Sequence, residues 1–451
     1  MTRISVSSGY DVEAIQRIVS EAMDASPQTL QPLLAAGKDA LAVVKPNWIM
    51  ESHSSRPDTW ETVITHPTVI LAVMECLARR MKGQGTIALC DAPVTQANFE
   101  AIIARGGLKD SLRVLRGRWP GITIEILDLR REVWAQKEDV IVERRRNAED
   151  PRGYVRLNLG ADSQFCGKGE LGRFYGADYD QSIVNKHHQG SVHEYLLSGT
   201  AMKCDLFVNV PKLKTHKKTG ITCCLKNLVG VNGDKNWLPH HTEGCPADGG
   251  DEFPDDRWAH RMERAVKKAG RRLALAVPGL GTWTYRKARN LGKVVLGDSD
   301  TVIRNGNWSG NDTCWRMVLD LNRALLYGNA DGSWRASGAR AYLAVVDGIV
   351  GGEGDGPTSP DPVRSGVLIT GADPAQVDAA ACRLMGFDPA LIPVVRNAFA
   401  AHRWPIAARA MDQVRVWDER AGAELALHEV EPAAPGGFRP HFGWTGLLRQ
   451  P

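Results

Sequence analysis

The chain has 451 residues, 43% hydrophobic and 24% charged, an ordinary globular balance with enough apolar material for a core. Lys and Arg number 56 against 52 Asp and Glu, a net charge of only +4, which gives no reason to expect a nucleic-acid or membrane partner. No apolar run approaches the roughly 20 residues of a membrane helix, and MTRISVSSGYDVEAIQRIV at the N-terminus has no signal-peptide core, so the chain reads as soluble and cytoplasmic.

In chain order, strands and helices alternate. ALAVVKPNW (40–48) reads as a strand that leaves its sheet at Lys45-Pro46-Asn47. HPTVILAVMECLARRM (66–81) has a helical apolar period, with Pro67 suited to the first turn. TIALCDAP (86–93) is a second strand ending on Asp91, QANFEAIIARGGL (96–108) a second helix, and ITIEILDLR (122–130) a third strand. This alternation predicts an α/β fold: a mainly parallel sheet with helices on both faces and large irregular insertions. In such sheets ligands bind beyond the carboxyl ends of the strands, where Lys45, Asn47 and Asp91 fall. The expected organisation is an N-terminal α/β segment (1–131), an insertion (132–202), the rest of the core (203–400) with an inserted helical region at about 233–335, and a C-terminal extension (401–451). Arg144-Arg145-Arg146 is expected in an exposed loop, residues 259–300 as a basic helical stretch, and the chain from about Glu429 as a loosely packed tail.

CDLFVNVPKLKTHKKTGITCCLKNLVG (204–230) carries the most chemistry. After the apolar run DLFVNV, the residues Lys212, Lys214 and His216 alternate, so an extended backbone points all three to one face. Thr219-Gly220 is positioned to start a helix that contains Lys226 and Asn227, and its N-terminus would add positive potential. The expectation is an anion-binding corner built from Lys45, Asn47, Lys212, Lys214, Lys226 and Asn227. The competing reading is a solvated lysine-rich loop. His216, whose pKa neighbouring lysines would depress, is the first candidate acid or base, with Lys214 and Asp91 beside it.

Further on, NDTCWRMVLDLNRALLYG (311–328) is a helix stopped by Gly328; ARAYLAVVDGIVG (339–351) is a buried strand running into a glycine loop. SGVLITGADP (365–374) is a strand and AQVDAAACRLMG (375–386) a helix. In VVDGIVGGEGDGPT, flexible glycines would let Asp347, Glu353 and Asp355 converge on a divalent metal of unspecified identity, with His240 and His241 as further candidate ligands. Nine cysteines without an export signal point to free thiols. Gly167, Gly169 and Gly172 form a literal G-x-G-x-x-G, but no strand precedes it and no clear helix follows, so the dinucleotide reading fails.

VKPNW (44–48), THPTVILAV (65–73), CDAP (90–93), NVPKLKTH (209–216), TGITCCLKNLVG (219–230), VVDGIVGGEGDGPT (345–358) and LITGADPAQVDAA (368–380) together resemble the Domain of Unknown Function 362 family, over most of residues 40–395. GDKNWLPHH (233–241) and GNWSGNDTCWRMVLDLN (306–322) resemble one branch of it. The resemblance implies an α/β fold and a bacterial or archaeal source, and no particular reaction. Many members carry a ferredoxin-like cluster domain, but this chain has no C-x-x-C-x-x-C run, so no iron–sulfur cluster is expected. The functional expectation is a metal-dependent enzyme acting on a small carboxylate or phosphate. The alternative is a non-catalytic metal-, cofactor- or electron-carrying protein that serves a partner enzyme. The oligomeric state is left open.

Overall fold

The computed structural model describes residues 1–137, 140–168, 171–177, 181–258, 260–265, 269, 302–336 and 338–446. The expected basic helical stretch at 259–300 falls largely outside these residues, as does Gly169 of the glycine motif.

Twelve strands among the described residues form one sheet. They are β1 (Thr2–Val6), β2 (Leu41–Pro46), β3 (Gly85–Asp91), β4 (Ile122–Asp128), β5 (Leu206–Val210), β6 (Lys212–His216), β7 (Gly220–Thr222), β8 (Tyr342–Asp355), β9 (Ser359–Val363), β10 (Val367–Gly371), β11 (Arg415–Asp418) and β12 (Ala423–Ala426). The order is β12-β11-β1-β10-β8-β5-β2-β3-β4, with β6 and β9 also pairing with β8, and β7 with β6. From β8 to β4 every pair is parallel, whereas β10 runs antiparallel to both β8 and β1.

The parallel half is covered on both faces, and the strand period of two shows it. In β2, Ala42 and Val44 face one core and Leu41 and Val43 the other; in β3, Ile87 and Leu89 are set against Ala88 and Cys90. The first core is closed by α1 (Val12–Asp24), α2 (Pro27–Ala36), α3 (Pro67–Arg80), α4 (Phe99–Ala104) and α5 (Leu108–Arg118). The second is closed by α6 (Cys224–Asn227), α7 (Cys314–Tyr327), α8 (Pro374–Leu384) and α9 (Pro393–Ala398). The fold is α/β, as the alternation predicts.

The insertion forms its own small sheets: a hairpin of Glu132–Lys137 with Val140–Arg146, and a three-stranded sheet centred on Val192–Ser198. The three arginines at 144–146 are exposed, as expected, but they belong to a strand, and Arg144 lies over the Trp134 ring. The chain from about Glu429, expected as a loosely packed tail, is instead packed onto the core, and the extension before it joins the sheet. Arg415–Asp418 pairs in parallel with Thr2–Val6 at the sheet edge, and Phe438 and Trp444 are buried. The Trp444 indole N–H donates to the Lys217 carbonyl (2.8 Å), so the tail packs against the basic segment. No described helix is long and apolar enough to cross a membrane.

Candidate functional site

A cavity of about 480 Å³ opens beyond the carboxyl ends of β2 and β3. From β2 the chain moves outward to β3 and β4, and it returns on the opposite side as β5, so the cavity lies at a topological switch point of the sheet. Its walls carry Lys45, Lys214, Lys217, Lys218, Lys226 and Lys235, with His216, His240 and His241. Among the described residues, the single carboxylate in this lining is Asp91. Asp91 is already engaged: Lys45 forms a 2.8 Å ion pair with its Oδ1, and the Trp48 N–H donates to its Oδ2 (2.7 Å). Gly230 crosses directly above this pair; a Cβ there would stand 1.9 Å from Asp91 Oδ1 and 2.6 Å from Lys45 Nζ.

The segment between β5 and α6 differs from the sequence expectation. Thr219-Gly220 does not start a helix. Gly220–Thr222 turns back as β7 and pairs antiparallel with β6, placing Lys214 opposite Thr222 and His216 opposite Gly220. Gly220 has φ +80°, and a Cβ there would meet the Trp444 ring at 3.1 Å. Helix α6 is a single turn, and the Asp378 carboxylate accepts from the N–H groups of Cys224 (2.7 Å) and Leu225 (3.0 Å). Its N-terminus therefore has an internal anion and offers none of the expected potential to a ligand.

Lys212 is also corrected. Although it alternates with Lys214 and His216, it pairs with Asp347 at 2.8 Å, takes Tyr10 Oη at 3.0 Å and does not line the cavity. Asp347 further accepts from Tyr10 Oη (3.1 Å) and the His66 N–H (2.9 Å), so both charges of this buried pair are neutralised internally. Among the remaining expected anion-binding residues, Lys45, Asn47, Lys214, Lys226 and Asn227 do come together in the cavity wall. Asn227 ties them: its Oδ1 accepts from Lys45 Nζ (3.2 Å) and Asn47 Nδ2 (3.0 Å), and its Nδ2 donates to Asn209 Oδ1 (2.7 Å).

The three carboxylates expected to bind metal are not gathered. Tyr342–Asp355 is one continuous strand, β8, in place of a flexible loop. Up to about 26 Å of extended backbone separates Asp347 from Asp355. Asp347 is held by Lys212, Glu353 accepts from the Arg439 N–H (2.8 Å), and Asp355 is exposed, 4.0 Å from His441. Only the end of this motif, Pro357 and Thr358, reaches the cavity. Among the described residues, Cys223, Cys224 and Asp378 do lie within 4.8 Å of one another. Burial raises the pKa of both thiols, however, and Asp378 is occupied in capping α6. His187 pairs with Glu194 (2.7 Å) and stacks on Trp237, away from the cavity lining.

The lysines differ in how they are satisfied. Lys214 donates to the Val63 carbonyl, and Lys218 to that of Asn305. Lys235 donates to the carbonyls of Val229 (2.9 Å) and Asn232 (3.3 Å). Lys226 has no hydrogen-bond or ion-pair partner among the described residues. Burial lowers every one of these ammonium pKa values: Lys235 to about 7, Lys218 to about 8, and Lys214, next to Lys212 and Lys226, well below the usual range. Lys226 is lowered by burial too, and by Lys45.

Two histidines in the wall carry their protons on opposite ring nitrogens. The Lys218 N–H donates to His216 Nδ1 (3.0 Å), so neutral His216 has its proton on Nε2. His240 Nδ1 lies 2.8 Å from the Leu238 carbonyl, which can only accept, so its Nε2 carries a lone pair. Burial, then Lys226, pushes His216 well below its ordinary pKa; the same two causes in the same order bring His240 to about 3. Both rings are therefore neutral near pH 7. Lys217, Lys218 and Lys235 were not singled out beforehand as site residues, though THKK and GDKN already display them in the sequence.

Residues 140–383 match the family described as Domain of unknown function (DUF362). No curated protein matches the chain. A crystal structure of a Thermotoga maritima protein, determined by a structural genomics consortium, aligns at 10% identity with a TM-score of 0.32. The alignment covers 80% of this chain and 57% of that one.

Proposed function

The chain belongs to the family described as Domain of unknown function (DUF362), and we propose that it is an enzyme acting on a small anionic molecule, a carboxylate or a phosphate, held in the lysine-lined cavity. One observation carries this reading. Among the described residues, six lysines share a wall with a single carboxylate, which is itself paired with Lys45. Clustered buried ammonium groups depress one another's pKa values, and an anion bound among them reverses that cost. Lys226 supplies the unpaired charge, while the His216 Nε2–H and Asn47 add neutral polar groups. The Nε2 lone pair of His240, in the same cavity wall, is the proton acceptor of this reading.

The reading uses no divalent metal at Asp347, Glu353 and Asp355, whose partners hold them apart. All nine cysteines are free thiols, which suits work in a reducing cytoplasm. The test is thermal shift in phosphate, sulfate and small carboxylates at constant ionic strength, with wild type compared against Lys226→Met. A charge-assisted hydrogen bond contributes about 1.5–3 kcal/mol, so the variant should bind roughly ten- to a hundred-fold more weakly. Equal stabilisation of both proteins by every anion would remove the proposal.

A further inference from the structure

We propose that Lys226 is a nucleophile that forms an imine with the carbonyl carbon of an anionic ketone or aldehyde; this rests on the cavity being an anion site. Three observations support it. First, Lys45, Lys214, Lys218 and Lys235 have their amines tied to main-chain oxygens or to Asp91, while the Lys226 amine lines the cavity with no partner among the described residues. Second, burial and then Lys45 lower its pKa, which eases loss of a proton to give the neutral, attacking amine. Third, Lys226 lines the same cavity as His216 and His240, and after burial it is the first cause lowering the pKa of both rings.

The opposite tautomers of those rings match the proton traffic that imine formation requires. The amine begins as an ammonium, and the His240 Nε2 lone pair accepts a proton from it. The nitrogen lone pair then attacks the carbonyl carbon; the C–N bond forms as the C=O π pair moves to oxygen. The His216 Nε2–H hydrogen-bonds to that oxygen as its charge develops. Protonated His240 gives its proton to that oxygen, takes one from the nitrogen and passes it to the resulting hydroxyl, so water leaves as the nitrogen lone pair forms the C=N bond of a protonated imine. The balance is one ammonium and one carbonyl going to one iminium and one water, with no oxidant or reductant. The positive potential of the rest of the lysine-lined wall attracts the substrate's carboxylate or phosphate. The iminium then acts as an electron sink for breaking a bond at the adjacent carbon.

The experiment traps the imine in the wild-type chain. The protein is incubated with cyanoborohydride and pyruvate, dihydroxyacetone phosphate or acetone, and the modified lysine is located by peptide mass spectrometry. Phosphate and acetate thermal shifts are recorded alongside. The expected result is a single reduced adduct on Lys226, formed at least about tenfold faster with an anionic probe than with acetone, since a charge-assisted contact to the anion is worth that much. A preference for pyruvate or for dihydroxyacetone phosphate separates the carboxylate and phosphate forms of the substrate. Lys226→Arg should lose the adduct while keeping anion-dependent stabilisation. Anion stabilisation without an adduct at Lys226 overturns the imine and leaves the anion site standing. Adducts spread over surface lysines, or equal rates with acetone, overturn it too. Absence of any anion stabilisation overturns the cavity reading and the imine with it.

Discussion

Replacing Gly230 with Ala tests how the Lys45–Asp91 pair is built into the cavity floor. The added Cβ would lie 1.9 Å from Asp91 Oδ1 and 2.6 Å from Lys45 Nζ, where an ordinary contact is 3.4–4 Å. The carboxylate must therefore move by about 1.5 Å, more than the 2.8 Å ion pair and the 2.7 Å bond from the Trp48 N–H tolerate together. Both residues are almost fully buried, and breaking such a pair costs about 3–5 kcal/mol. Urea unfolding should show that loss in the midpoint at an unchanged slope. The same substitution in an Asp91→Ala background should cost less than in wild type, because Lys45, no longer anchored by the carboxylate, can swing away from the added methyl. A Gly230→Ala protein as stable as wild type, or an equal cost in both backgrounds, would refute the argument.

Lys214→Met should behave unlike Lys226→Met: its amine is buried against the Val63 carbonyl and its pKa lies well below the usual range, so anion affinity should stay within about threefold. The carbonyl left without its donor should cost about 1–3 kcal/mol in unfolding experiments. Lys235 and Lys218 titrate near 7 and 8 in the fold but near 10.5 when unfolded, so over that window the unfolded chain holds more protons. Unliganded stability should therefore rise with pH from about 7 toward 10, while stabilisation by sulfate should fall over the same range; melts with and without sulfate that run parallel would contradict both signs. Heteronuclear NMR should find His216 protonated on Nε2 and His240 on Nδ1, both neutral from pH 6 to 8; a shared tautomer would remove the proton path proposed here.

Much of this arrangement is legible in the sequence because strand ends are. ALAVVKPNW and TIALCDAP end on Lys45 and Asp91, and parallel pairing brings those ends side by side. The alternation in KLKTH puts Lys214 and His216 in the same cavity wall. Lys212 escapes the pattern because its partner, Asp347, lies 135 residues away. The glycines of VVDGIVGGEGDGPT read as a flexible loop, but close packing inside a sheet requires them. A Cβ on Gly351 would meet Phe438 at 2.7 Å, one on Gly352 would meet Pro360 at 2.8 Å, and one on Gly356 would stand 1.9 Å from the Thr215 carbonyl oxygen. With this close packing the segment pairs as a strand in place of a flexible loop, and the three carboxylates keep separate partners. The turn at Thr219-Gly220 resembles a helix start locally, and only the tertiary contact with Trp444 marks it as a hairpin.

The most direct test of an anion site in this cavity is a crystal structure of the protein grown with selenate, located by its anomalous signal. The account predicts one strong site in the cavity, within hydrogen-bond distance of Lys226 Nζ and His216 Nε2. Selenate found only beside surface arginines, with the space around Lys226 filled by water, would contradict it.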